Sequence, residues 1–318
     1  AVSGDLEKPR LGLAAARFDR LAEQLDAIYH NGARVNLTDP YVRCRATNVG
    51  GTHEILRLAA RGRLTPVHHV STAAVLVSVD GDPAVLLEDR RLAPELVPPS
   101  GYVRSKWVAE ELVHIARARG IPTSIFRPAQ IGGHSVTGAM TSNDALWHRI
   151  RACIETAMMP DPTADGAWAE VDLVPVDYVA QAYVHLAQQP DCTRSAFHLT
   201  HPKPTAMAAI MDHARLLGYE IETVPPAEWE RRVMASAEAM AIAGDGHDSS
   251  VQSAAILNGA ASDAVQTGRW RFDRSRTARA LGGSGIICPL IDRAMLDRYF
   301  RYHIQSGFLP AAPNGARV

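Results

Sequence analysis

Over the first 130 residues, short apolar runs alternate with longer stretches whose apolar positions recur every three or four residues. Runs at 1–6, 26–33, 66–72 and 122–129 predict strands; the stretches near 11–25, 40–61 and 100–119 predict helices. Strands and helices in alternation are the pattern of a parallel sheet covered by helices. Asp39-Pro40 predicts an N-cap followed by a first helical residue, and Gly62 predicts a helix stop. Past residue 135 helical periodicity takes over, near 142–157, 175–189, 204–217, 226–243, 251–262 and 290–306, with Pro-rich or Gly-rich links. One apolar run at 195–200 predicts a strand that returns to the sheet. The Ala/Gly/Ser-rich stretch 235–262 predicts a mobile helix–loop–helix. No internal repeat is visible.

Composition narrows the class. The 318 residues are 47% hydrophobic and 21% charged, as in soluble globular proteins. A formal net charge of −1 gives no electrostatic reason for nucleic acid or an anionic membrane as partner. No apolar run approaches the roughly 20 residues that span a bilayer, and no signal peptide opens the chain. Cys44, Cys153, Cys192 and Cys288 lie far apart, without metal-ligand or redox spacing, so reduced structural thiols in a cytoplasmic protein are expected.

Chemistry concentrates in Gly-Tyr-Val-Arg-Ser-Lys-Trp-Val-Ala-Glu (101–110). Tyr102 and Lys106, four apart, share one helix face, so the ammonium can sit beside the phenol. A neighbouring cation favours phenolate and is expected to lower a pKa that starts near ~10 toward the range of a general acid. Upstream, Ser71 and Thr72 close a strand-like run, and the C-terminal end of a parallel strand faces the crevice where α/β sheets bind ligands.

Ser71-Thr72 ahead of Tyr-x-x-x-Lys resembles the extended short-chain dehydrogenase/reductase family, with its Ser/Thr–Tyr–Lys triad. Other segments resemble it too: 30–36 its fourth strand and the turn beneath the cofactor, Asn48–Thr52 the following helix. Residues 126–133 resemble its sixth strand and the loop over nicotinamide, and 174–180 the return from the substrate domain. Ser-Lys-Trp-Val-Ala-Glu (105–110), Gly133–Gly138 and Ser306–Pro310 are similar to thioester reductase domains, which terminate nonribosomal peptide synthetases and have relatives in carboxylic acid reductases.

The resemblance implies an α/β fold: an N-terminally truncated Rossmann-like parallel sheet over 1–135, with a return segment near 170–200, and a mainly helical substrate domain over 136–318. It implies Thr72, Tyr102 and Lys106 as catalytic residues, with Ser71 as alternative to Thr72. Contacts to NADPH are implied at Asp5, Leu6, Asn31, Gly32, Ala33, Asn48, Ser71, Tyr102, Lys106, Arg127, Pro128, Ala129 and Ile131. Substrate contacts are implied at Ala73, Ser135, Thr137 and Gly138. The implied activity is NADPH-dependent release of a carrier-bound acyl or peptidyl thioester as an aldehyde or alcohol, and the implied partner is a carrier domain with its phosphopantetheine arm.

The chain departs from the family in one place. The Gly-x-x-Gly-x-x-Gly turn that cradles pyrophosphate is absent, and the sequence starts at what resembles the third strand. We expect a longer chain that carries that turn, within a multidomain synthetase. Rival readings are a dehydrogenase or epimerase acting on a small free substrate, and a non-catalytic module that docks a carrier domain. His68 and His69 read as structural, since neighbouring strand residues face opposite sides. His198 and His201 lack partners for zinc. Trp107 reads as packing, and Met158-Met159-Pro160 either as core or as the wall of an acyl channel.

Overall fold

The computed structural model describes residues 1–80, 85–142, 144–163, 169–242 and 270–313. They form two compact units. The first holds Ala1–Ala129, Ala180–Thr200 and Trp270–Ile286. The second holds the described parts of Gln130–Val179, His201–Arg269 and Ile287–Val318.

The first unit is built on a sheet of β1 (Ile28–His30), β2 (Val67–Val70), β3 (Thr123–Pro128) and β4 (Ala196–Leu199), parallel and adjacent in that order. Both faces of β2–β4 are covered, which is why these strands read as unbroken apolar runs. On one face, α1 (Ala15–Gln24), α3 (Gly51–Ala59) and α4 (Gly101–Ala118) pack Phe18, Ile55 and Val113 against Val67 and Ile125. On the other, Phe126 stacks on Phe197 and meets the edge of Tyr183, whose hydroxyl donates to His68 O at 2.8 Å. Tyr183 belongs to α6 (Val176–Ala187).

Three local expectations need correction. Residues 1–6 make no strand: Asp5 turns the chain by accepting from Glu7 N and pairing with Lys8, and a 3-10 turn follows at Pro9–Gly12. Asp39 does not cap α2 (Tyr41–Arg45), because its carboxylate accepts from Arg34 Nε at 2.6 Å; Pro40 is the N-cap. The helix before Gly62 already ends at Ala59, with Ala60 as C-cap. Between α2 and α3 the chain makes one π turn, Ala46–Gly50.

In the second unit, α5 (Ala145–Glu155), α7 (Met207–Leu216), α8 (Pro226–Ile242) and α10 (Arg293–Gln305) surround a core that includes Trp147, Ile150, Met211, Tyr299 and Phe300. Asp144 and Asp292 cap α5 and α10 through their carboxylates. Met158 and Met159 lie in this core, on a short strand paired with Glu222–Val224, so they are filling and not a channel wall. The expected helix at 251–262 and most of the stretch 235–262 lie outside the described residues. α9 (Ser275–Ala280), in the first unit, has no counterpart among the expected helices.

Candidate active site

α4 begins where Ser100 Oγ accepts from Val103 N, and its first residue must be glycine: a Cβ on Gly101 would lie 2.3 Å from Asp39 O. This close approach seats the helix N-terminus on the loop before α2. The spacing then does the rest. Tyr102, Lys106 and Glu110 recur at four-residue steps along one face.

Lys106 is buried and donates through Nζ to Val70 O, the last residue of β2, at 2.6 Å. Thr72 follows two residues later in extended conformation, half-buried, with its hydroxyl accepting from Ala74 N at 3.3 Å to cap the 3-10 turn Ala73–Leu76. That turn packs on α4. The structure thus brings Thr72 and Lys106 to the C-terminal end of the central strand, with Tyr102 one helical turn before Lys106. Tyr102 is half-buried, and its hydroxyl has no hydrogen-bond partner among the described residues.

The electrostatics differ from the sequence expectation. Burial, with some help from the nearby Cys44 thiol, pushes the Tyr102 phenol up to about 12. Lys106 does not lower it; burial instead pushes the Lys106 ammonium down to about 8, against a smaller upward pull from Glu110. The tyrosine therefore holds its proton at neutral pH, and the lysine is the group that titrates near the working range.

A second layer fixes α4. Asn48, buried in the π turn, donates to Ser105 Oγ at 2.8 Å and to Arg34 O at 3.1 Å, and accepts from Arg34 N at 2.7 Å. Ser105 Oγ donates on to Tyr102 O at 2.7 Å. All these Asn48 bonds stay within the protein, so it positions the loop and helix. Below it, Thr52 donates to Asn48 O and accepts from His30 Nε2, which assigns the proton on His30 to Nε2. Burial and the Lys106 charge hold His30 down at about 3, hence neutral. His69 faces the same side, its ring 5.2 Å from that of His30, whereas His68 lies among Tyr29 and Phe126 on the other face.

Other expected contacts are distributed as follows. Asn31 and Gly32 are exposed at the end of β1, with Ala33 half-buried beside them. The smallness of Gly32 serves Leu6, whose Cδ1 would lie 2.8 Å from an added Cβ. The Asp5 carboxylate is engaged locally by Glu7 N and Lys8. Arg127 cannot offer its side chain to a ligand here: the guanidinium is buried, pairs with Glu110, and donates to Glu88 O and Arg90 O. Pro128 is buried and Ala129 half-buried. Ser71 is buried, which leaves the half-buried Thr72 as the accessible hydroxyl. Ala73 is sealed in a cluster with Val75, Leu76 and Phe272, so a substrate contact there is not supported. Trp107 packs on that cluster and donates to Leu92 O.

In the second unit Ile131 is half-buried on a short strand paired with Leu173–Val174. Ser135 donates through N and Oγ to Asp177, at 2.8 and 2.6 Å. Thr137 is exposed and caps its own turn through Ala139 N. Gly138 sits at φ +73°, where a Cβ would lie 2.4 Å from Arg298 O, so its glycine is a packing requirement.

Sequence reasoning missed Ser105, Glu110 and His30. The four-residue step from Lys106 to Glu110 was a visible signal; nothing local marked the other two.

The fold is Rossmann-like α/β, a parallel sheet covered by helices. The chain belongs to the NAD-binding family described as "Male sterility protein", whose model matches residues 1–183. A linear gramicidin synthase of Brevibacillus parabrevis is 37% identical over 316 residues, which is 98% of this chain and 6% of that protein. Isonitrile lipopeptide synthase of Streptomyces coeruleorubidus is 35% identical, over 98% of this chain and 20% of its own length. The chain thus spans a small part of these curated relatives. Among solved structures, the terminal R domain from the myxalamid PKS-NRPS biosynthetic pathway is 37% identical with a TM-score of 0.87, covering 98% of this chain and 76% of that one. A thiolation-reductase di-domain from an archaeal non-ribosomal peptide synthetase, 22% identical, shares the fold, with a TM-score of 0.73, covering 96% of this chain and 61% of that one.

The residues present fit the nicotinamide end of a dinucleotide. Lys106 makes one hydrogen bond, which leaves two N–H groups for ribose hydroxyls, and the Tyr102 hydroxyl is unengaged among the described residues. No Gly-rich turn occurs in the sequence to hold the pyrophosphate.

Proposed function

We propose that this chain carries the catalytic part of an NADPH-dependent reductase that releases an acyl or peptidyl thioester from a carrier domain as an aldehyde. The observation that carries this reading is the convergence of Thr72 and Lys106 on the end of β2 beside Tyr102, in a chain similar over 98% of its length to a terminal R domain.

A bound NADPH would supply the hydride. Attack at the thioester carbonyl places charge on its oxygen, and the hydroxyls of Tyr102 and Thr72 are fixed donors for that charge. The raised pKa of Tyr102 keeps the phenol protonated until the oxyanion forms, so it is the proton source. Collapse expels the pantetheine thiol and leaves the aldehyde; a second hydride and proton would give the alcohol. Lys106 would hold the nicotinamide ribose through the N–H groups that its bond to Val70 O leaves free. Asn48 and Ser105 keep the Tyr102 backbone in register with the loop at Arg34. The partner is a carrier domain of the same synthetase.

The test uses the full multidomain protein that contains this chain. Pantetheine thioesters, free carboxylic acids and sugar nucleotides are supplied with NADPH, and cofactor oxidation and thiol release are followed together. Stoichiometric oxidation and thiol release with thioesters alone is the expected result. Turnover of a free substrate would move the protein to another branch of the superfamily. Carrier binding without NADPH consumption would make it a docking module.

A further inference from the structure

The C-terminal half of α4 carries a second polar site. Arg117, Arg127, Arg194 and Arg276 line a cavity of about 170 Å³ together with Glu88 and Asp89. Fifteen residues of helix separate Tyr102 from Arg117, roughly 22 Å at 1.5 Å per residue, so the cavity is distinct from the candidate active site.

Two of the six charged groups are engaged within the protein. Arg127 is paired with Glu110. The Glu88 carboxylate is taken up by the first turn of α9, accepting from Arg276 N, Thr277 N and Thr277 Oγ1, and by His198 N. Three guanidiniums remain opposite one exposed carboxylate, Asp89. Among the described residues, none of the three forms a salt bridge.

Two are held in place by side-chain bonds and the third by its backbone. Arg117 donates through Nε to Thr123 Oγ1 and through Nη2 to Thr123 O, both at 3.0 Å. Arg276 donates through Nη1 to Ala196 O at 3.1 Å. Arg194 sits at φ +72°, a left-handed conformation that costs a non-glycine residue energy. Its backbone is pinned there by Arg194 N donating to Thr123 O at 2.8 Å. Fixed oxygens thus orient Arg276 and Arg117, whose Nη2 also reaches Ser195 O at 3.4 Å, while the Arg194 side chain makes no hydrogen bond among the described residues. Burial, and then repulsion from Arg127, Arg194 and Arg276 against the pull of Glu110, holds Arg117 down at about 10.

We propose that this cavity binds a phosphoryl group, as inorganic phosphate or a phosphate monoester, through Arg117, Arg194 and Arg276. With Glu110 counted, four guanidiniums face the carboxylates of Glu88, Asp89 and Glu110, an excess of one positive charge that favours an anion, and planar guanidiniums suit tetrahedral oxyanions. The volume exceeds that of one phosphate and admits the first atoms of an ester.

The test is calorimetric titration of the full chain with inorganic phosphate and with phenyl phosphate, ionic strength being held constant with chloride. Saturable one-to-one binding is expected for phosphate, for the ester or for both; the tighter ligand identifies the physiological source. Arg194→Gln removes an exposed side chain with no protein bonds, so it should leave the melting temperature in chloride unchanged and weaken binding about tenfold. Asp89→Asn removes the opposing charge and should tighten binding by about threefold. Absence of saturable binding, or affinities unchanged in both variants, would overturn the proposal and leave the cluster as a clamp for β3 and β4.

Discussion

The two ends of α4 handle buried charge in opposite ways. At the C-terminal end, Glu110 and Arg127 pair directly and share further partners in His114, Glu88 O and Arg90 O. Burial pulls the Glu110 carboxyl up, yet the Arg127 guanidinium beside it outweighs that and holds the carboxyl well below its usual range. At the N-terminal end, Lys106 has one carbonyl and no carboxylate pair, and the Tyr102 hydroxyl has no hydrogen-bond partner among the described residues. A satisfied buried pair rigidifies a fold; an under-satisfied one stores capacity for a ligand. The same helix does both, eight residues apart.

The sharpest way to break that comparison is a crossed pair of substitutions. Tyr102→Phe should lower turnover by roughly 10²–10⁴-fold with little change in melting temperature or in NADPH affinity. Glu110→Gln should do the reverse in kind: it strands Arg127 in the interior and should cost about 3–5 kcal/mol of stability by denaturant unfolding. Unchanged turnover in Tyr102→Phe would remove the phenol from the chemistry, and a stable Glu110→Gln would show that the two ends do not differ.

pH separates the ends next. Because burial holds Lys106 down at about 8, its ammonium is lost within the range in which Tyr102, near 12, stays protonated. Activity should therefore fall on the alkaline side with a midpoint near 8, read from kcat/KM against pH. A midpoint near 10 would mean that Lys106 is solvated like a surface lysine. On the acid side the effect is on stability. Burial holds His30 and His198 at about 3 and His68 at about 4, all neutral in the fold. The unfolded state takes up protons near 6.5, so it binds more protons than the fold below that pH and stability drops on acidification. Each histidine contributes up to about 1.4 kcal/mol per pH unit between 6.5 and its folded pKa. Melting temperatures should be flat from pH 7 to about 6.5 and decline below; a flat profile down to pH 4 would contradict the buried neutral assignment.

What could be read from sequence follows the same division. Strands β2 to β4 and most helices were legible because burial on both sheet faces writes apolar runs, and helix faces write a three-to-four repeat. Tyr102 and Lys106 were legible because one helix carries both. Residues whose role depends on a partner elsewhere in the chain were not. Arg127 looked like a cofactor ligand until Glu110, 17 positions away, took its guanidinium. Asp39 looked like a cap until Arg34 claimed its carboxylate. Ala1, Val2 and Leu6 read as a strand, but the Asp5 turn bends the segment so that Leu6 packs on Gly32 and Gly51.

The smallest predicted effect probes how the reactive end is held. Ser105 Oγ links the Asn48 amide to the Tyr102 carbonyl, and it is the described side-chain bond that joins the π turn to the first turn of α4. Ser105→Ala leaves the Asn48 amide one acceptor short in a buried site, at a cost of about 1–3 kcal/mol. If the link only stabilises the fold, turnover of the folded fraction is unchanged. If it positions Tyr102, kcat falls several-fold while KM for NADPH stays constant, and Ser105→Thr, which keeps the hydroxyl, restores it. Positioning is the expected outcome, because the bond ends on the backbone of the residue whose hydroxyl must meet the substrate oxygen.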